Sequence, residues 1–185
     1  KFKKNYLFDM DVSGFYGNVD NWILWQPSNQ AFWEAQNVKT VKHQGIETQI
    51  ELAKNIQNWK LGVSGSYQFV EATNENVSDA SLGKQLIYAP KNSGNGRVSI
   101  VYKKIGLNVV YNYTGIRYLT TDNSSYLPSY NVLDLVFQYH IDWANKHRIN
   151  VQLDINNVLN AEYMSVAWLP MPGINYLLSV RYTLN

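Results

Sequence analysis

No cysteine occurs among the 185 residues, which excludes a disulfide framework, thiolate zinc sites and a cysteine nucleophile while leaving the compartment open. Neither sign of charge dominates. Sixteen Lys and Arg stand against 14 Asp and Glu, for a net charge of +2, so a polyanion-binding tail or an acidic disordered chain is excluded and no nucleic-acid partner is expected. No run approaches the roughly 18 apolar residues of a membrane-spanning helix, and Lys1-Phe2-Lys3-Lys4 is followed by no apolar signal segment. Any membrane role must therefore be interfacial or carried by strands. What the chain has in quantity is apolar and aromatic surface, 45% hydrophobic with 14 Tyr and 6 Trp, enough for one sizeable domain.

Apolar residues recur at period two along almost the whole length, with no convincing helical period, so the expected class is all-β. The spacing predicts nine strands, at residues 5–16, 21–26, 39–53, 59–73, 93–103, 107–120, 129–141, 148–159 and 175–185. Connections alternate between short (17–20, 54–58, 104–106, 142–147) and long (27–38, 74–92, 121–128, 160–174). In an antiparallel meander this puts turns at one end and loops at the other, as in an outer-membrane barrel with periplasmic turns and external loops.

The two faces of the pleat have opposite chemistry. One carries Phe8, Met10 and Val12; Ile46, Ile50 and Leu52; Trp59, Leu61 and Val63; Val98 and Ile100; Leu107 and Val109; Leu133, Leu135 and Phe137; Val151, Leu153 and Ile155; Leu178 and Val180. The full set of 36 positions contains no charge, where about six would be expected if charge ignored the alternation. Longer frames admit Lys42, Glu71 and Arg117, all toward the long-loop end. The other face carries Asp9, Asp11, Glu47, Glu51, Lys60, Arg97, Asp134, Arg148, Asp154 and Arg181. A soluble sandwich also alternates, but the aromatics divide into two bands. Tyr16, Trp59, Tyr102, Tyr139 and Tyr182 fall beside short turns or the C-terminus, and Tyr67, Phe69, Tyr111, Tyr113 and Tyr176 toward the long loops. Two such bands around a Leu, Ile and Val belt suit the headgroup levels of a bilayer.

Nine is odd, whereas bacterial single-chain barrels have even strand numbers, and an open sheet would leave unpaired N–H and C=O groups in hydrocarbon. The chain is accordingly expected to be the C-terminal portion of a larger barrel. The alternative is a complete eight-stranded barrel, obtained if 21–26 is not a crossing.

Specific motifs point the same way. Tyr113-Thr-Gly115-Ile-Arg117-Tyr118, Leu127-Pro-Ser-Tyr130 with Leu133-Asp134, Asn156-Asn157-Val-Leu-Asn160 with Tyr163, Pro170-Met171-Pro172-Gly173 and a final alternating strand resemble the C-terminus of TonB-dependent outer-membrane receptors. Asn37-Val38, Gly45-Ile-Glu47 and Ala89-Pro90 resemble that family too. The resemblance implies a 22-stranded barrel with an N-terminal plug, of which residues 1–185 would be the C-terminal barrel part, plug and earlier strands lying outside it. It also implies import of a scarce, large nutrient driven by TonB acting on the plug, in the outer membrane. The Pro170–Gly173 loop most resembles vitamin B12 transporter-like receptors of Bacteroidetes type, so cobalamin is the expected ligand and haem or a siderophore the alternative. Leu184-Asn185 departs from the terminal aromatic of the family, which Tyr182 supplies two residues earlier.

No catalytic set stands out and no cofactor or metal is assigned; His43, His140 and His147 lack ligand spacing. The charged face reads as a polar lumen wall. Trp25, Trp33, Tyr88, Tyr118, Tyr126, Trp168 and Met171, with Phe32 and Tyr163, lie in or beside long loops, where they would stack on a flat ligand, meet a surface lipoprotein, or simply pack the loops together. Asn157, Asn160 and Gly173 read as turn formers. A passive porin and a soluble β-sandwich binding module are the rivals from other classes.

Overall fold

The computed structural model describes residues 6–27, 32–143 and 146–184, with backbone alone at 24, 26–27 and 36–39. Asn5 and Asn185, at the limits of the first and last expected strands, lie outside the described residues. The described residues form twelve strands: β1 (Tyr6–Pro27), β2 (Trp33–Ile56), β3 (Trp59–Asn74), β4 (Asn92–Tyr102), β5 (Ile105–Thr114), β6 (Arg117–Tyr118), β7 (Tyr126–Leu127), β8 (Tyr130–Trp143), β9 (His147–Asn156), β10 (Met164–Val166), β11 (Leu169–Pro170) and β12 (Asn175–Leu184). Eight of them make one antiparallel sheet in the order β1-β2-β3-β4-β5-β8-β9-β12, and β6–β7 and β10–β11 are small separate ribbons.

The count of about nine crossings becomes eight because the expected strands 5–16 and 21–26 are one. Gly17, Asn18 and Asp20 look like a turn in sequence, yet the β1–β2 register runs through them, from Tyr16↔Gln44 to Trp22↔Val38. Asn21 alone takes a left-handed conformation, φ 60°, which Asn tolerates better than most residues. The argument from an odd number therefore falls. The open sheet does not: β1 pairs only with β2 and β12 only with β9, so the eight described strands do not close into a complete small barrel.

Register aligns the uncharged residues across the whole width. Phe8, Leu52, Val63, Val98, Val109, Leu135, Ile155 and Tyr176 are successive cross-strand partners, one from each strand. One residue along, the row reads Asp9, Glu51, Ser64, Arg97, Val110 and Asp134. Among the described residues nothing packs on the apolar face: Phe8 is 60% exposed, Val63 46% and Leu178 65%. A second sheet would cover such residues, so the sandwich alternative is overturned, and a continuous apolar surface of this kind marks contact with an apolar medium. Strands of 10 to 16 residues in β3, β4, β5, β8, β9 and β12 suit a tilted crossing, which takes about 9–11.

Short turns at 57–58 and 103–104 lie at the same end as the close of β8 and the start of β9, and long connections at 75–91, 115–129 and 157–174 occupy the other. At the short-turn end the Trp59 and Tyr102 rings meet at 4.5 Å, tilted by 37°, and His147 lies against Trp143 and Tyr182. Tyr16 leaves that band: through Gln44 and Glu71 its register places it at the long-loop end, a consequence of the missing turn. Lys42, outward-facing there, lies 5.6 Å from the Tyr16 ring. Beyond Val41↔Asn74, β1 and β2 continue as a two-stranded ribbon past the rest of the sheet.

Candidate functional site: a loop cluster over one end of the sheet

Buried side chains gather at the long-loop end. The apolar ones are Val41, Ile87, Leu127 and Val132; the polar ones are Asn74, Ser81, Gln85, Arg117 and Asn157. A buried polar group is costly unless paired, and nearly all of these are. Gln85 receives the backbone N–H of Ala72 on its Oε1 and donates its amide toward Ala89 O, while its backbone exchanges two bonds with the Asn123 side chain. Two loops 38 residues apart are thereby joined. Asn74 donates to Asp79 and Ser81.

Arg117 is the central post. It is 5% exposed, Nη1 donates to Ser165 O at 3.1 Å and Nη2 to Pro128 O at 3.3 Å, and the guanidinium lies 4.8 Å from the Tyr130 ring centroid. Tyr163 stacks on Tyr130 at 4.3 Å. Tyr130 shares the charged face with Thr114 and Asp134, so the segment carrying Tyr163 folds inward over the polar side. Burial holds the Tyr163 phenol above its ordinary value of 10.0, with Tyr130 and the Asp134 charge adding to the effect.

The motif asparagines and glycines have defined tasks. Asn157, at φ 52°, ends β9; its amide donates to Ala161 O and Pro172 O, its Oδ1 receives Ala161 N–H, and its own N–H goes to Asp134 Oδ1 at 2.8 Å. Asn160 Oδ1 receives the Ile174 N–H, and a Cβ on Gly173 would stand 2.6 Å from that oxygen. Gly115 ends β5 where its N–H meets Asn92 O, and a Cβ there would lie 2.7 Å from the same oxygen. The expected strand 107–120 breaks at this contact.

Of the loop aromatics singled out in sequence, most come together. Trp33 and Tyr88 rings are 5.6 Å apart, the Tyr88 hydroxyl accepts the Ala167 N–H next to Trp168, Tyr88 N–H donates to Tyr118 O, and Tyr118 pairs with Tyr126. Met171 accepts a Ser165 hydroxyl on its sulfur. Trp25 stands apart on the ribbon opposite Ala35, and Tyr113 on the apolar face near Gly94. Tyr88 and Trp168 both adopt positive φ, 56° and 68°, unusual for bulky side chains. Trp168, at the tip of the β10–β11 hairpin, is 89% exposed.

A cavity of about 510 Å³ opens between the segments 127–130 and 161–173, with Pro128, Tyr130, Tyr163, Met164 and Met171 in its walls and Glu162 as a charged member. Sequence reasoning missed Tyr130 and Met164 as cavity residues. Tyr130 was findable, because even numbers in this strand share a face with Asp134. The three histidines stay apart: His43 lies against Phe15, His140 bonds Asn150 and His147 bonds Tyr182. Along the polar face the partners are mostly uncharged, as in Gln138 to Gln152 and Asn95 to Ser66. Asp142 pairs with Arg148 at the short-turn end.

An antiparallel wall with one uncovered apolar face, a polar opposite face and ordered loops at one end defines a transmembrane β-barrel segment. A family model described as TonB dependent receptor-like, beta-barrel, matches residues 1–158, and the chain belongs to that family, whose members are bacterial outer-membrane proteins. The chain is similar to the vitamin B12 transporter BtuB of Photobacterium profundum, 26% identical over 180 residues, which is 95% of this chain and 28% of the transporter. It is also similar to the ferrioxamine B receptor of Salmonella typhimurium, 24% identical over 135 residues, 70% of this chain and 19% of that receptor. Among solved structures it matches two Acinetobacter baumannii proteins. One is the ferric preacinetobactin receptor BauA, with TM-score 0.70, 17% identity, and 95% of this chain and 27% of that one covered. The other is the siderophore receptor PiuA, with TM-score 0.69, 18% identity, and 95% and 26% covered. These two give the fold. The chain spans less than a third of each relative's length.

Proposed function

We propose that residues 1–185 form the C-terminal wall of a receptor that imports cobalamin across the outer membrane, energised by TonB through a plug encoded elsewhere in the same protein. The observation that carries the ligand choice is extent: similarity to the vitamin B12 transporter runs over 95% of the chain, against 70% for the ferrioxamine B receptor. The fragment supplies wall and loops, with no catalytic step of its own. Its unpaired β1 and β12 edges would cost several kcal/mol per exposed group in lipid, which supports further strands of the receptor joining both. Inside the barrel, Asp9 stands directly opposite Glu51, a repulsive pairing that favours a cation-bearing plug surface against this part of the wall.

On the outside, Trp33, Tyr88, Tyr118, Tyr126, Trp168 and Met171 are the residues proposed to meet ligand. Ile23 and Trp25, more than 60% exposed on the projecting ribbon, offer a contact for a surface lipoprotein. Growth of cells lacking the receptor, with cobalamin limiting, tests the reading: lost growth supports it, and unchanged growth with impaired siderophore or haem use rejects it. A ferric siderophore is the second reading, favoured by the ferrioxamine B receptor similarity.

A further inference from the structure

The cavity between residues 127–130 and 161–173 is held as a preformed site. Arg117 ties both of its walls, through Pro128 O on one side and Ser165 O on the other. The Met171 N–H closes on Tyr163 O, and Asn157 anchors Pro172 and Ala161. Two stacked tyrosine rings and two thioethers offer flat, polarizable surface, and about 510 Å³ suits a drug-sized group or one ring system of a larger molecule. The charge pattern narrows the choice. Glu162 is the charged lining residue, the guanidinium of Arg117 is engaged with carbonyls and with Tyr130, and a phenol kept protonated at Tyr163 adds a donor but no negative charge. An anionic group would meet Glu162 in the wall itself, whereas the Arg117 charge lies behind the Tyr130 ring, 4.8 Å from its centroid.

We infer that this cavity seats a planar, uncharged or cationic ring carried by the imported ligand, with the Trp168 indole presented at the hairpin tip as an additional face. Left-handed backbone at Tyr88 and Trp168, joined through the Ala167 to Tyr88 bond, is strain of the kind that persists where a rigid surround over-determines it, and such strain clusters at ligand clamps. This inference rests on the import reading and refines it to one subsite and one class of group.

Because the chain contains no cysteine, Met171→Cys in the full-length receptor places a defined thiol in the cavity wall. Its rate of maleimide modification is measured alone and with saturating cyanocobalamin, haem or ferrioxamine B, while tryptophan quenching reports binding independently. Val77→Cys, on an exposed part of the 75–91 loop, is the accessibility control, and outer-membrane assembly of Met171→Leu checks that the position accepts substitution. The expected result is at least tenfold protection of Cys at 171 by cyanocobalamin, with the control within twofold. Binding of cyanocobalamin without protection overturns the subsite and leaves import standing. Protection by ferrioxamine B, which carries no flat ring, or by the anionic haem alone overturns the ring assignment. Binding of none of the three overturns the import reading and the inference together.

Discussion

The wall and the loop cluster are built by different rules from the same 185 residues. In the wall, a residue's place is decided by parity: Val98 faces the apolar side and Ser99 the polar side, and their partners Val109 and Asn108 follow suit. Little in the wall is buried within the described structure, because the medium that covers it is not protein. In the cluster, by contrast, individual side chains are buried and each is bonded to particular partners, as Arg117, Asn157 and Gln85 are. The lesson is that a membrane barrel delegates its apolar packing to lipid and keeps protein packing for the part that must hold a shape against water.

The largest expected effect breaks the wall rule. Val109→Arg puts a charge on the lipid-facing row and should cost roughly 2–4 kcal/mol near the bilayer midplane, read as loss of folded receptor in outer-membrane fractions. Asn108→Arg, one residue away on the polar face, should assemble normally; equal loss from both would contradict the assignment of faces. Next comes the cluster's post. Arg117→Met leaves Ser165 O and Pro128 O without their donors, and about 2–4 kcal/mol of local stability should go. Hydrogen exchange should speed up across 126–130 and 163–171 while β3 and β4 keep their protection.

The wall was largely legible in the sequence and the cluster only in part, for the same reason. Alternation is a local signal repeated dozens of times, so one misplaced turn at Gly17–Asp20 shifted the strand count and the position of Tyr16 without disturbing the faces. The cluster depends on contacts between residues far apart, such as Gln85 with Asn123 or Tyr88 with Ala167, and no periodicity announces them. Motif positions such as Arg117, Asn157 and Gly173 stood out by resemblance. What they do became visible only when Pro128, Ser165, Pro172 and Asn160 arrived beside them.

A smaller effect separates shape from capture within the cluster. Trp168→Asn places a residue more tolerant of positive φ at the hairpin tip and should relieve about 1 kcal/mol of strain, slowing local exchange at 164–170, while cyanocobalamin affinity falls. Stabilisation with unchanged affinity would mean that the strained indole serves no ligand. The smallest concerns pH. Asp122 accepts bonds from Thr120 and Ser124, which depress its carboxyl from 3.8 to about 2. A depressed carboxyl stabilises the folded loop above its unfolded value, so the contribution is whole above pH 4 and fades as pH falls toward 2. Exchange in 119–125 should rise over that interval, and Asp122→Asn should abolish the pH step.

The face assignment itself is open to one direct reading. Nitroxide labels placed singly at 98, 109 and 135, and at the neighbours 99, 108 and 136, in full-length receptor in lipid bilayers would be relaxed either by oxygen, which concentrates in acyl chains, or by a water-soluble nickel complex. We expect oxygen to dominate at 98, 109 and 135 and to yield at every neighbour. Relaxation by nickel at those three sites, or protection from both reagents, would contradict a wall that faces lipid.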